Sequence, residues 1–379
     1  MRSYEVAKLA GVHRSTVSRA LNPATAHLVN AETRRRVQAA VEQLSYRTDA
    51  IAQSLRTRRS LTIGFLIPDI TNPIFARIVR GSDDTLHRHG YGTLVGYGDD
   101  QPARAGEELA RLEQRGVDGF IVATAQRSDP ALERLADREI PLVLVNRRTD
   151  DDRLAAVTVD DQPGTEAAVR HLAELGHVRV ACIAAPQSTS TGLARLTHFR
   201  QAMHHVGLAI DERHLVEAGA LTREVTRRLV LDLLDLPEPP TAIVAANDIM
   251  AIGCLEALRV RGLRCPEDVS VVGFNDMPYA DWLSPALTTV RWDHYGMGAT
   301  AAQILLAKLG VISAVREEHV LMPSHLLVRQ STGHAPDRAS HARPPAPAAA
   351  DDLAGLSSRI ASLESAIRAL IDEMRASRA

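Results

Sequence analysis

From Leu61 onward the chain alternates short, unbroken apolar runs with stretches of helical amphipathic pattern, and few architectures accept that alternation. The runs are LTIGFLIPD, GTLVGYGDD, GFIVAT, PLVLVNR, AAVTVDD, RVACIAAP, HLVEAG, TAIVAAND, VSVVGFND and LTTVRWD. Segments such as PIFARIVRGSDDTLHRHG and PGTEAAVRHLAELG lie between most of them. Apolar strands without polar alternation are buried on both faces, and helical crossovers between them set neighbours parallel. So many strands suit two sheets better than one. Polar residues end many of these strands: Asp69, Asp99, Thr124, Asn146, Asp160, Asn247, Asp248, Asn275 and Asp276. Ligands of open parallel sheets bind outside the carboxyl ends of the strands, so two facing sheets would enclose a polar cleft. For any one of these residues, capping the next helix is an equally good reading. Only the collective pattern points to a cleft.

The part before Leu61 differs in charge. Residues 1–60 hold eleven Arg and Lys against four acids, whereas the remainder carries 33 basic and 42 acidic residues. A basic head on an acidic body suggests a polyanion-binding module, with a merely solvated basic face as the plain alternative. Within the head, SYEVAKLAGVHRSTVSRALN reads as two short helices around a turn at Gly11, with Val6, Leu9 and Ala10 as the first helix's buried stripe. In the second helix only Val12, Val17, Ala20 and Leu21 can face a core. NAETRRRVQAAVEQLSY follows as a third helix, capped by Asn30 and packed through Val37, Val41 and Leu44. This is a helix-turn-helix pattern, whose second helix would enter the major groove of DNA. Arg14 and Arg19 can read guanine bidentately, and Ser15 can reach several bases. Arg34, Arg35 and Arg36 fit phosphate contacts or solvent, which position without specifying.

The stretches VAKLAGVHRSTVSRALN, TRRRVQAAVEQLSY and AIAQSL resemble the lactose/galactose-repressor family. The resemblance carries the family's recognition positions to Arg14, Ser15 and Arg19, with His13 standing where a serine is usual. It implies a hinge helix in DAIAQSLRTRRS that folds on DNA, with Leu55 wedging into the minor groove and Ala52 meeting the partner's hinge. The body also resembles the family, at IGFLIPDITNPIFARIVRG, VTVDDQPGTEAAVRHLAELGH, ANDIMAIGCLEAL, VSVVGFND and SPALTTV. It implies a periplasmic-binding-protein-like core of two subdomains crossed three times by the chain. The resemblance places effector contacts at Phe75, Asp160, Arg195, Asn247, Asn275 and Asp276. Arg195 could instead close a structural ion pair, but a guanidinium near Asn and Asp suits bidentate binding of hydroxyls or a carboxylate. Two positions depart from the family: Asn275 replaces the first acid of the usual GFDD, and Ala220 and Leu221 stand where relatives often have a stacking aromatic. Phe75, Tyr97, Tyr279 and Trp282 are the remaining candidates for a stacking face.

The expected organisation is multidomain. Residues 1–47 form an all-α helix-turn-helix head and 48–60 a hinge; 61–332 form the α/β core, pairing 61–159 with 290–319 and 160–289 with 320–332. Residues 333–350, rich in Pro and Ala, read as a linker. In 351–379, Leu353, Leu356, Ile360, Leu363, Ile367, Leu370 and Met374 recur at steps of three and four, a heptad seam. The core is expected to dimerise and this coiled-coil helix to join two dimers into a tetramer.

Other function classes find little support. There is no G-x-G-x-x-G opening a helix, no phosphate-binding G-x-x-x-x-G-K-[ST] and no G-x-S-x-G elbow, so no catalytic residue or cofactor is assigned. Neither His87 with His89 nor His204 with His205 has acids spaced to complete a metal site. Cys182, Cys254 and Cys265 are scattered, which suits a reducing cytoplasm, and no apolar run reaches the roughly 20 residues of a membrane span. The start lacks a secretion signal's apolar core. The composite expectation is a cytoplasmic, nucleoid-associated repressor binding operator DNA and a small polar effector, a sugar or related metabolite. A co-repressor-dependent regulator responding to a nucleobase or another non-sugar metabolite is the alternative, and an enzyme the remote one.

Overall fold

The computed structural model describes residues 3–21, 25–44, 59–315 and 317–336. Leu55 and the heptad segment 351–379 therefore lie outside the described residues.

The head is formed by α1 (Ser3–Ala10), α2 (Arg14–Leu21) and α3 (Ala31–Gln43). Gly11 takes a left-handed φ of 64°, which lets α2 follow α1 after three residues. Val6, Ala7, Ala10, Val17, Val37 and Ala40 make a small shared core, with Val12, Ala20, Leu21, Val41 and Leu44 packed partly against it. Leu9, expected on the buried stripe, is 47% exposed; Val6, Ala7 and Ala10, which share one face of the helix by their spacing, carry the burial instead. The Asn30 side chain accepts from Thr33 N at 2.8 Å and caps α3 as its sequence position suggests.

The body has two six-stranded sheets. The first comprises β1 (Thr62–Ile67), β2 (Gly92–Tyr97), β3 (Gly119–Val122), β4 (Leu142–Val145), β5 (Ala155–Val159) and β11 (His319–Met322). Its order is β11-β5-β4-β3-β1-β2, with every pairing parallel. The second comprises β6 (Val180–Ala184), β7 (Leu215–Glu217), β8 (Ala242–Ala245), β9 (Ser270–Phe274), β10 (Thr288–Arg291) and β12 (His325–Leu327), in the order β12-β10-β9-β8-β6-β7. All pair in parallel except β12, which runs antiparallel to β10. All ten apolar runs are strands. The first sheet is covered by α4 (Pro73–His87), α5 (Pro102–Gln114), α6 (Pro130–Asp137) and α11 (His294–Lys308). The second is covered by α7 (Asp161–Glu174), α8 (Ser190–His205), α9 (Arg223–Leu234) and α10 (Asp248–Val260). Strand side chains such as Phe65 and Phe120 are almost fully buried, each contributing roughly 1.5–3 kcal/mol.

The chain passes between the sheets three times. The first crossing follows Val159, as expected. The second follows Arg291, because β10 still belongs to the second sheet, and the third falls between Met322 and His325, because β11 completes the first. These two boundaries lie a few residues later than the expected 290 and 320. The α4–α11 contact is unusually close: a Cβ on Gly298 would stand 1.9 Å from the Ile78 carbonyl oxygen, and one on Gly81 2.1 Å from that of Tyr295. Ser82 Oγ also donates to Gly298 O at 2.8 Å, so the two helices are held as a unit.

Candidate nucleic-acid interface and ligand cleft

On α2 the residues Arg14, Ser15, Ser18 and Arg19 occupy one side of the helix by their spacing, while Val17 on the other side is 1% exposed. Arg14, Ser15 and Arg19 are all exposed. The start of the helix holds a feature that the sequence did not announce. His13 Nδ1 accepts from Ser15 N at 3.3 Å and lies 2.8 Å from Ser15 Oγ, so the imidazole does the capping work of the missing serine. Arg34, Arg35 and Arg36 are exposed on the first turns of α3 and carry further positive charge. This interface is a ridge of cations and hydroxyls on a helix that gives its apolar side to its own core.

On the body's side of the junction, the first described residues are firmly bound. Asp118 accepts from Ser60 N at 2.7 Å, from Ser60 Oγ at 3.0 Å and from Leu61 N at 3.0 Å. Arg59 donates to the carbonyl of Leu309, the residue that ends α11, at 2.8 Å. The other end of α11 begins at the second crossing, so one helix runs from the head's attachment to the region between the sheets.

In that region Arg195, on α8, is the most strongly held of the expected effector residues. Its Nε donates to Asp161 at 3.0 Å, one terminal nitrogen donates to Ala246 O at 2.6 Å, and the guanidinium lies 3.6 Å above the Phe274 ring. The ends of β5, β8 and β9 thus converge on one cation. Burial pushes the Asp161 carboxyl above its ordinary value, and Arg195 opposes that rise. Asp161 and Phe274 were not among the expected residues; the second aspartate of VTVDD supplies the ion pair, not the first. Asp160 begins α7 without capping it, and its backbone is fixed by Met322 O at 2.9 Å and Ser324 Oγ at 2.5 Å.

Asn247 caps α10 by accepting from Met250 N at 2.8 Å, which realises the alternative reading of that strand end. Asn275 has a φ of 113° and accepts from Trp292 Nε1 at 3.1 Å. Asp276 accepts from Arg329 at 2.6 Å and faces Arg291 at 3.7 Å. Below them Asp248 is buried between Thr289 Oγ1 and Met277 N, and burial raises its carboxyl to about 7. Phe75 is 3% exposed within the main core, so it presents little surface to a ligand in this conformation. Tyr97 carries Arg104 on its face, and Tyr279 packs against Trp282, both rings exposed.

A cavity of about 70 Å³ at the second crossing is lined by Arg77 from α4, Asp276 and Arg291 from the second sheet's end, and Trp292, Asp293, His294 and Tyr295. His294 is 3% exposed, its Nε2 is buried without a partner among the described residues, and burial lowers the imidazole to about 4. A larger cavity, about 530 Å³, lies far from these groups, at the amino ends of β9 and β10. Size alone would select that one, but it gathers none of the strand-end polar residues. Nearer the mouth of the cleft, Arg127 N donates to Ser188 O and Arg148 N to Ser190 Oγ, each at 2.9 Å, which ties the two subdomains together.

A model of bacterial regulatory proteins of the lacI family matches residues 4–49, and one of a periplasmic binding protein-like domain matches 169–332. The HTH-type transcriptional regulator DegA of Bacillus subtilis (strain 168) is 32% identical over 336 residues, covering 87% of this chain and 97% of that protein. Among solved structures, the lac repressor dimer bound to operator and the anti-inducer ONPF is 27% identical with a TM-score of 0.77, covering 88% of this chain and 99% of that one. A complex of the transcriptional regulator CelR with cellobiose is 30% identical with a TM-score of 0.65, covering 87% and 99%.

Proposed function

The chain belongs to the lacI family of bacterial regulatory proteins, and from that premise we propose that it is a repressor whose grip on a pseudopalindromic operator is set by a small polar effector in the cleft. It is a DNA-binding transcriptional regulator, not an enzyme. The observation that carries the reading is the α2 ridge, where Arg14, Ser15 and Arg19 are exposed while the same helix buries Val17. Arg14 and Arg19 read guanines, and Leu55 in the hinge wedges the minor groove. The site of action is the nucleoid, in the cytoplasm.

Arg195 anchors the effector, with Asp160, Asn247, Asn275 and Asp276 contributing hydrogen bonds and Phe75 an apolar wall. The convergence of three strand ends on the Arg195 guanidinium supports this assignment. A sugar or similar polyhydroxylated compound is the favoured class, supported by the likeness to the cellobiose complex. The burial of Phe75 and the absence of an aromatic at Ala220 and Leu221 favour, as second reading, a ligand that needs no stacking face, such as a small organic acid. The protein dimerises through its core, placing two α2 helices on two half-sites, and residues 351–379 join two dimers. Effector binding changes the DNA affinity only by its differential affinity for two core arrangements, and the coupling is reciprocal.

The test is selection of bound sequences from random DNA, followed by a thermal-shift screen of sugars, nucleosides and organic acids on the full chain. A compound that raises the melting temperature and alters operator affinity supports the reading. A protein that enriches no sequence would overturn it.

A further inference from the structure

The cap at the start of α2 fixes the positions of protons on two side chains. A backbone N–H can only donate, so the 3.3 Å contact from Ser15 N makes His13 Nδ1 an acceptor. An imidazole nitrogen that accepts carries no proton, and the neutral ring then bears its hydrogen on Nε2. The 2.8 Å contact between that same Nδ1 and Ser15 Oγ can therefore form in one sense only, with the hydroxyl donating. A serine hydroxyl has one proton and two lone pairs. With its proton committed to His13, Ser15 retains only acceptor capacity.

We propose that His13 sets the hydrogen-bonding sense of Ser15, so that the hydroxyl meets DNA as an acceptor and selects a base bearing an exocyclic amine. In the major groove those groups are adenine N6 and cytosine N4; guanine O6 and N7 and thymine O4 offer acceptors only. A serine free to rotate reads either kind, which is why serine is ordinarily an undiscriminating base contact. Here the residue before the helix turns it into a selective one. His13 acts through Ser15 and is a positioning residue. Its backbone carbonyl takes the first helical bonds, from Thr16 N at 2.9 Å and Val17 N at 3.3 Å, so the ring is held at the helix start. The proposal rests on the reading of Ser15 as a base-contacting residue.

The experiment is selection of bound sequences from randomised operators with the full-length protein and three variants, Ser15→Ala, His13→Ala and His13→Asn. The position whose preference disappears in Ser15→Ala should be confined to adenine or cytosine in the wild type. His13→Ala should broaden that position to all four bases, and His13→Asn, whose amide oxygen can accept both bonds, should restore the confinement. Functional-group replacement then reads the polarity directly. Purine in place of adenine, or 2-pyrimidinone in place of cytosine, removes the amine and should weaken binding roughly two- to tenfold. Replacement of adenine by 7-deazaadenine, which removes an acceptor, should leave binding unchanged. Confinement to guanine or thymine would overturn the proposal. So would a His13→Ala variant that binds all sequences more weakly but keeps the wild-type preference, since that is the mark of a cap and nothing more. If Ser15→Ala alters no position, the proposal fails while the regulator reading stands, because that reading is judged by whether the wild type enriches an operator at all.

Discussion

Replacing Arg195 with alanine would leave Asp161 buried and unpaired, and the cost can be worked from the surroundings. The Arg195 side chain is 12% exposed and that of Asp161 4%, at a separation of 3.0 Å. Breaking a buried pair from one side typically costs about 3–5 kcal/mol, because the remaining charge keeps its desolvation penalty. The carbonyl of Ala246 and the face of Phe274 lose the same partner. Asp161 can escape part of the penalty by taking up a proton. Burial already raises its folded-state value, and without Arg195 nothing of comparable size opposes that rise. A carboxyl raised above its unfolded value contributes full stability below the unfolded value and loses it as the pH climbs toward the folded one. The deficit of Arg195→Ala should therefore be several kcal/mol at pH 8 and visibly smaller at pH 5. Urea denaturation at both pH values, followed by the fluorescence of Trp282 and Trp292, measures it. A loss below about 1 kcal/mol, or one equal at the two pH values, would refute the reasoning from a buried pair. Because alanine endangers the fold, Arg195→Lys is the better probe of effector binding: it keeps a charge opposite Asp161 and loses the planar fork.

Three further outcomes are expected, the last from the heptad pattern of the sequence alone. Arg19→Ala should weaken operator binding by roughly 1–3 kcal/mol more than random-DNA binding, whereas Arg35→Ala should weaken both alike and flatten the salt dependence, as gel shifts at several salt concentrations will show. His294 is held neutral by burial, with its value lowered to about 4, so the folded state refuses a proton that the unfolded chain accepts. Stability should accordingly be complete above about pH 6.5 and decline as the pH falls toward 4, and His294→Gln should lessen that decline in a melting series. Light scattering of the full chain should give a tetramer mass and deletion of residues 340–379 a dimer; a dimer mass for both would remove the tail from assembly.

What the sequence made legible depended on how each element earns its burial. The ten apolar strands stand out because both of their faces are covered, as with Gly119–Val122 and Leu142–Val145. The strands His319–Met322 and His325–Leu327 lack that signal: they are edge strands of four and three residues, half exposed, and too short for their apolar residues to form a distinct run. The third crossing moves with them, since β11 completes the first sheet before the chain returns to the second. At the cleft, Arg195 was legible by resemblance, but the acid that pairs with it, Asp161, was not. Helix phase decides whether Asp160 or Asp161 faces α8, and adjacent aspartates look alike until the first turn of α7 is placed. Trp292 and Phe274 carried no signal as site residues because an aromatic in an apolar run ordinarily means core. His13 was visible as a departure from the usual serine, yet only the geometry shows an imidazole nitrogen taking over the cap.

Sequence-specific DNA binding by the α2 ridge should be coupled to a ligand in the cleft between the two sheets. The most direct measurement is the operator affinity of the full chain with and without a compound that raises its melting temperature, repeated on Arg195→Lys. The account predicts an operator bound at least about a thousandfold more tightly than random DNA, an affinity that shifts when the compound is added, and a shift reduced or lost in Arg195→Lys while the operator is still bound. A compound that binds and stabilises the wild type yet leaves its operator affinity unchanged would contradict it.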